Sequence, residues 1–169
     1  RIAQAVAQRA AGFGMRLIYT AHRPRRDFEA RTGARFMEKD ALLATADFVS
    51  LHVPLTTETR HYIGRRELEI MPRHAILINT ARGPVVDEDA LAAALQKGDI
   101  AGAGLDVFER EPQIHPGLRD LPNVLLTPHK GATTMDGFIS MGNSCAEKIF
   151  AALDGRVPPD CLNPEARQG

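Results

Sequence analysis

The chain has 169 residues, enough for one domain with a real core, and its 21 basic residues balance its 21 acidic ones to a formal charge of zero. That balance advertises no polyanion-seeking surface, so no nucleic-acid partner is expected. No run approaches the ~18 apolar residues of a membrane span and no basic-then-apolar leader opens the chain, so a cytoplasmic protein without a membrane partner is expected.

Arg1 to Ala11 place Ile2, Val6 and Ala10 on one stripe at helical spacing, and Gly12-Phe13-Gly14 ends the run. Met15 to Tyr19 reads as a buried strand, followed by the basic loop His22-Arg23-Pro24-Arg25-Arg26, where proline discourages regular structure. A weaker strand at Ala34 to Met37 leads to a helix from about Asp40 to Thr45, then to a strong strand from Asp47 to Val53 that Pro54 breaks. Leu55 to Gly64 is polar and turn-like, and Arg66 to Met71 forms a short helix before Pro72. The strand Ala75 to Asn79 runs into the loop Thr80-Ala81-Arg82-Gly83-Pro84. Asp87 can cap the next helix, with Glu88 and Asp89 favouring its positive dipole end and Leu91, Ala94 and Leu95 forming its inner face. Strands at Ala101 to Val107 and Asn123 to Leu126 precede a long amphipathic helix from about Thr134 to Leu153, which Gly155, Pro158 and Pro159 finish. Helices alternating with short apolar strands specify parallel pairing through crossovers, hence a doubly wound α/β sheet. Cys145 and Cys161 show no metal-ligand or redox spacing, so both are expected to be structural thiols and no metal site is expected.

In such a sheet, ligands gather where the loops leave the carboxyl ends of the strands. Three polar groups follow three successive strands there: Thr80-Ala81-Arg82, then Asp106 with Glu109 and Glu111, then His129 within Thr127-Pro128-His129-Lys130-Gly131. Arg82 has a planar fork suited to a carboxylate, and His129 could face a keto oxygen. A negative charge from Glu111 beside His129 would favour the imidazolium and make it a proton donor near neutrality. Together these groups suit a small 2-oxo acid, with hydride supplied by a cofactor. The residues alone leave the plainer readings open: a solvated loop arginine, surface glutamates and a hydrogen-bonded loop histidine. His22, His52, His61, His74 and His115 fall in that last class.

The runs Leu77-Ile78-Asn79-Thr80-Ala81-Arg82-Gly83, Gly104-Leu105-Asp106-Val107-Phe108-Glu109-Arg110-Glu111-Pro112 and Leu126-Thr127-Pro128-His129-Lys130-Gly131 resemble signatures of the D-isomer-specific 2-hydroxyacid dehydrogenases. Ser50 to Thr56 and Glu58 to His61 match a fourth, and the resemblance spans Arg1 to about Pro164. It implies that Arg82 binds the substrate carboxylate, that Glu111 orients and charges His129, and that His129 is the acid/base. It implies further that Arg1, Ile2, Val53, Pro54, Thr59, Thr80, Ala81, Arg82, Asp106, His129 and Gly131 contact the cofactor, with Asp106 near the nicotinamide amide. Formate dehydrogenases of the same superfamily lack the acidic partner that Glu111 provides.

The family's cofactor loop reads Gly-x-Gly-Arg-Ile-Gly or Ala, and this chain begins at its arginine. The expectation is therefore a Rossmann-like sheet lacking its first strand and glycine turn. Without a strand at the centre of the 3-2-1-4-5-6 order, the strands at Met15 and Asp47 would each expose an unpaired edge. Residues 1–153 would form the incomplete cofactor domain, and 154–169 a tail returning towards a substrate domain. The chain is expected to be a fragment, inactive alone. Lys130 departs from the usual apolar residue after the histidine, which bears on substrate preference.

NAD enzymes of this fold place an acid at the end of the second strand for the ribose hydroxyls. Here Thr20-Ala21 stand there, and Thr20, His22, Arg23 and Arg25 suit the extra phosphate of NADP, as in the NADPH-preferring glyoxylate and hydroxypyruvate reductases that Ile18 to Arg25 resemble. NADP is the expected cofactor, with NAD the alternative. A homodimer through the cofactor domain is expected, its interface including Leu55 to Ile70. The alternative function is a non-catalytic, nucleotide-sensing module like the corepressors that resemble this family.

Overall fold

The structure, a computed structural model, describes residues 2–167. Its strands are β1 (Ile18–Tyr19), β2 (Arg35–Phe36), β3 (Phe48–Leu51), β4 (Ile76–Asn79), β5 (Gly102–Leu105) and β6 (Val124–Leu126). Helices α1 (Ile2–Gly12), α2 (Arg26–Thr32), α3 (Lys39–Leu43), α4 (Arg65–Ile70), α5 (Glu88–Lys97), α6 (Pro116–Arg119) and α7 (Met135–Leu153) alternate with them. All the pairings between these strands are parallel, with β1 beside β2 and a separate sheet in the order β3-β4-β5-β6. Parallel strands joined through helices make this the expected Rossmann-like α/β fold.

Pairing stops at β1 and β3, which are not hydrogen-bonded to each other. Each therefore has an open edge among the described residues, as expected from the strand order. Phe48, at the start of β3, remains 51% exposed. The expected strand Met15 to Tyr19 contracts to Ile18–Tyr19, because only those residues find register partners, Arg35 and Phe36. Arg26 belongs to a helix instead of the expected loop: α2 carries Asp27 and Glu29 in its first turn and ends on Gly33, whose φ of 69° is the left-handed closing conformation that glycine adopts without steric cost.

The chain divides into two compact units between His129 and Lys130. In the first, Leu43, Ile63, Leu68, Leu77, Leu91, Ile100 and Leu118 are essentially inaccessible and form one core with Val85 and Val86. The sequence pattern explains α5: Asp87 Oδ1 accepts from the Ala90 N–H at 3.0 Å, Gly98 closes the helix at φ 70°, and Leu91, Ala94 and Leu95 face inward. In the second unit, Thr134 caps α7, its Oγ1 accepting from the Gly137 N–H at 3.0 Å. Cys145 is a free thiol exposed on α7, a helix that buries only Ala151 among its described residues. No helix of the described residues is long and apolar enough to cross a membrane.

Leu77 lies at the centre of the first unit's core, with none of its surface accessible. Leu77→Ala should cost about 2–5 kcal/mol in urea unfolding, whereas Gln96→Ala on the exposed face of α5 should stay within about 0.5 kcal/mol. Equal losses for the two would contradict this placement of the core.

Candidate active site

Register aligns the ends of the four paired strands. Leu51 stands beside Asn79, Asn79 beside Leu105, and Leu105 beside Leu126. The residues that follow, His52, Thr80, Asp106 and Thr127, therefore open their loops at one level on one edge of the sheet. Asn79 is only 1% exposed, and its carboxamide shapes the second of these loops. Its Oδ1 accepts from the Ala81 N–H at 3.0 Å and its Nδ2 donates to the Arg82 carbonyl at 3.0 Å. Its backbone carbonyl also accepts from the Asp106 N–H at 3.0 Å. One buried side chain thus folds Thr80-Ala81-Arg82 into a fixed turn, with Thr80 and Arg82 exposed.

The next residue ties this turn to its neighbour. A Cβ on Gly83 would lie 1.9 Å from the carbonyl carbon and oxygen of Phe108 and 2.4 Å from the Glu109 nitrogen, so only glycine allows the two loops to touch. Phe108 is buried, and its N–H donates to Glu111 Oε1 at 3.1 Å. The other carboxylate oxygen, Oε2, meets His129 Nδ1 at 2.9 Å. His129 adopts a φ of 52°, uncommon for a residue with a side chain, and its N–H reaches back to the Thr127 carbonyl at 3.0 Å. With Nδ1 engaged by Glu111, the histidine's Nε2 is the nitrogen left for another group.

The electrostatics agree with that geometry. The hydrogen bond from His129 holds the Glu111 carboxyl below its ordinary range against an opposing cost of burial, helped by the Phe108 N–H and by the charges of His129 and Arg82. The Arg82 guanidinium donates through Nη1 to the Ala81 carbonyl at 2.6 Å, and its charge favours the ionised Glu111. Asp106 is buried at the end of β5 and accepts from the Thr127 hydroxyl at 2.5 Å. Arg82, Asp106, Glu111 and His129 thus occupy one edge of the first unit.

The residues expected around a cofactor are distributed as follows. Val53 is half-buried and Pro54 exposed in the loop after β3, where Thr59 Oγ1 donates to the Pro54 carbonyl at 2.6 Å and accepts from the Thr56 N–H at 2.7 Å. Thr20 is half-buried after β1, with His22, Arg23 and Arg25 exposed beyond it. The Arg25 N–H donates to the Tyr19 hydroxyl, which itself donates to Glu29 Oε1 at 3.0 Å, so α2 anchors this basic loop. Ile2 is exposed at the start of α1, and Gly131 belongs to the second unit, in the turn before α7. Arg1 lies outside the described residues.

Two positioning features escape a reading of the sequence. Asn79 looks there like one polar residue at a strand end, and Gly83 like half of a Gly-Pro turn. A polar residue closing an apolar strand three places before a loop cation is the only local signal of the first. The contact between Gly83 and Phe108 joins distant parts of the chain and leaves no local pattern.

Residues 1–131 match the family model for the D-isomer specific 2-hydroxyacid dehydrogenase NAD binding domain. Among relatives, a glyoxylate reductase of Thermococcus litoralis is 48% identical over 165 residues, covering 98% of this chain and 50% of the relative. A glyoxylate/hydroxypyruvate reductase B of Pectobacterium carotovorum is 50% identical over 167 residues, covering 98% and 52%. The solved structure of the TT0316 protein from Thermus thermophilus superposes with a TM-score of 0.87 at 44% identity, covering 94% of this chain and 50% of its own. The chain spans about half the length of these relatives.

Asn79→Ala should strand the Ala81 N–H and the Arg82 carbonyl and cost about 1–3 kcal/mol in thermal or urea unfolding. A change below about 0.5 kcal/mol would show that the turn holds itself. The Glu111 carboxyl ionises more readily in the folded chain than its ordinary value of 4.5. Its stabilising effect is therefore complete above about pH 4.5 and is lost as pH falls through the lowered folded-state value. The stability difference between the wild type and Glu111→Gln should close over that acid range; a gap that stays constant down to pH 2 would contradict the pairing.

Proposed function

Because the chain belongs to the D-isomer specific 2-hydroxyacid dehydrogenase family through its NAD binding domain, we propose that the complete protein transfers hydride between NADPH and a small 2-oxo or D-2-hydroxy acid of the glyoxylate or hydroxypyruvate kind. The observation that carries this reading is the 2.9 Å contact between His129 Nδ1 and Glu111 Oε2 at the sheet edge that also holds Arg82. It supplies an oriented proton donor beside a cation suited to a carboxylate.

In this reading Arg82 grips the substrate carboxylate with two parallel hydrogen bonds. His129, with Nδ1 held by Glu111, directs Nε2–H at the keto oxygen, and the ionised Glu111 stabilises the imidazolium. A bound reduced nicotinamide cofactor would supply the hydride. His129 passes its proton to the oxygen as the alcohol forms, and reverses that transfer as base in the oxidation. The net change consumes one 2-oxo acid, one NADPH and one proton, and yields the 2-hydroxy acid and NADP+. The sequence similarity to enzymes named glyoxylate reductase and glyoxylate/hydroxypyruvate reductase B supports the substrate class.

The exposed His22, Arg23 and Arg25 after β1, with Thr20 where NAD enzymes carry an acid, fit a phosphorylated ribose better than free hydroxyls. Val53, Pro54, Thr59, Thr80, Ala81 and Asp106 would line the rest of the cofactor, with Arg1, Ile2 and Gly131 completing the set. NADP is therefore our assignment within a family whose domain takes a nicotinamide dinucleotide. A cytoplasmic homodimer, with Leu55 to Ile70 in its interface, belongs to the same reading. So does the inactivity of the 169 residues alone, which the open edges of β1 and β3 support.

The complete protein should oxidise NADPH when offered glyoxylate or hydroxypyruvate. His129→Asn should lower kcat by about 10²- to 10⁴-fold, and Arg82→Ala should act mainly by raising KM for the oxo acid. Turnover by His129→Asn at the wild-type rate would overturn the assignment. Thr20→Asp should move the ratio of the NADPH and NADH kcat/KM values towards NADH; an unchanged ratio would refute the reading of the basic loop.

A further inference from the structure

Next to the Arg82 and Glu111–His129 group, two further glutamates meet at a junction of three segments. Glu88, the first residue of α5, is only 5% exposed. Its N–H donates to Glu109 Oε1 at 3.0 Å, and the Glu109 N–H donates to Glu88 Oε1 at 2.9 Å. Each carboxylate accepts from the other residue's amide, closing a ring between the start of α5 and the loop after β5. His61 Nε2 approaches the same Glu109 oxygen at 3.3 Å. The His61 backbone, at φ 51°, is fastened in turn to the Arg82 side of the junction, its N–H donating to the Pro84 carbonyl at 2.8 Å.

Placing two carboxylates face to face away from water is unfavourable unless hydrogen bonds compensate. Burial pushes the Glu88 carboxyl above its ordinary range, the Glu109 N–H offsets part of this, and the Glu109 charge adds to it, while His115 and Arg110 act in the opposite direction. The arrangement satisfies both amides and leaves Glu109 half-buried beside a histidine. It also sits where it can control geometry: Glu109 is two residues from Glu111, and its amide is the one that closes on Gly83, next to Arg82.

We propose that Glu109, held between Glu88 and His61, is a positioning residue that sets the spacing between the Arg82 guanidinium and the Glu111–His129 pair. This rests on the dehydrogenase reading above. Loss of the ring loosens the loop that bears Glu111 against the loop that bears Arg82, which the Gly83–Phe108 contact and the Asn79–Asp106 hydrogen bond still join. The two groups then no longer meet one small 2-oxo acid at the same time, and misplacement of that size is strongly felt in catalysis.

The test compares Glu109→Ala, Glu109→Gln, His61→Ala and His129→Asn in the complete protein, measuring Tm and the KM and kcat for glyoxylate and NADPH. Glu109→Ala should raise KM for glyoxylate about tenfold and lower kcat by a similar factor, with KM for NADPH within about twofold of wild type. Glu109→Gln keeps an acceptor for the Glu88 N–H and should recover most of both losses. His61→Ala, which removes only the outer support, should raise the glyoxylate KM about two- to threefold and serves if Glu109→Ala does not fold. A lowered Tm with glyoxylate KM and kcat at wild-type values in Glu109→Ala and His61→Ala, while His129→Asn is inactive, would show a merely structural ring and overturn the proposal alone. Full activity of His129→Asn would overturn the underlying reading and this inference with it.

Discussion

The parallel register of β3 to β6 is the constraint on which the rest of the first unit depends. Because Leu51, Asn79, Leu105 and Leu126 stand side by side, four chain segments distant in sequence leave the sheet at one level. Hydrogen bonding in a parallel sheet fixes that alignment without reference to side-chain chemistry. The apolar residues beneath it, Leu77 and Leu105 among them, resist a slip by one residue, since a slip would turn each of them to the wrong face. The loops above inherit a common floor, and polar residues placed in them are brought together by the sheet.

What the floor brings together, the loops then lock. Asn79 gives both ends of its carboxamide to the turn before Arg82 and its backbone carbonyl to the start of the β5 loop. Gly83 lets that turn touch the Phe108 backbone, and Phe108 in turn holds one oxygen of Glu111 while His129 takes the other. Glu111 and His129 are therefore oriented before any ligand arrives, while the exposed Arg82 guanidinium rests on the Ala81 carbonyl at 2.6 Å. Preorganisation of this sort is what allows a carboxylate and an imidazole to act together on a reacting group. It also explains why Glu111, although exposed, ionises more readily than usual: its charge is met by fixed donors.

Much of this was legible in the residues. Strand order, the capped helix after Asp87 and the clustering of Arg82, Glu111 and His129 at one edge follow from hydrophobic periodicity, turn residues and family signatures. Local pattern fails where the determinant is a distant contact. Glu88 reads as a solvated acid at a positive helix end, yet it is buried because Glu109 supplies an amide from 21 residues away. His61 reads as an ordinary loop histidine until the fold brings it to Glu109. The helix α2 lacks a clear apolar stripe in Arg26–Thr32, so its first-turn acids and closing Gly33 were its only signals.

Arg82 and the Glu111-held His129 are proposed to define together where a small 2-oxo acid binds. A crystal structure of the complete protein with NADP+ and oxamate, an unreactive mimic of such an acid, tests it directly. The oxamate carboxylate should lie on the Arg82 guanidinium through paired hydrogen bonds and its carbonyl oxygen within hydrogen-bond distance of His129 Nε2, with Nδ1 still on Glu111. Oxamate bound away from Arg82, or a His129 ring turned so that Nε2 faces elsewhere, would contradict it.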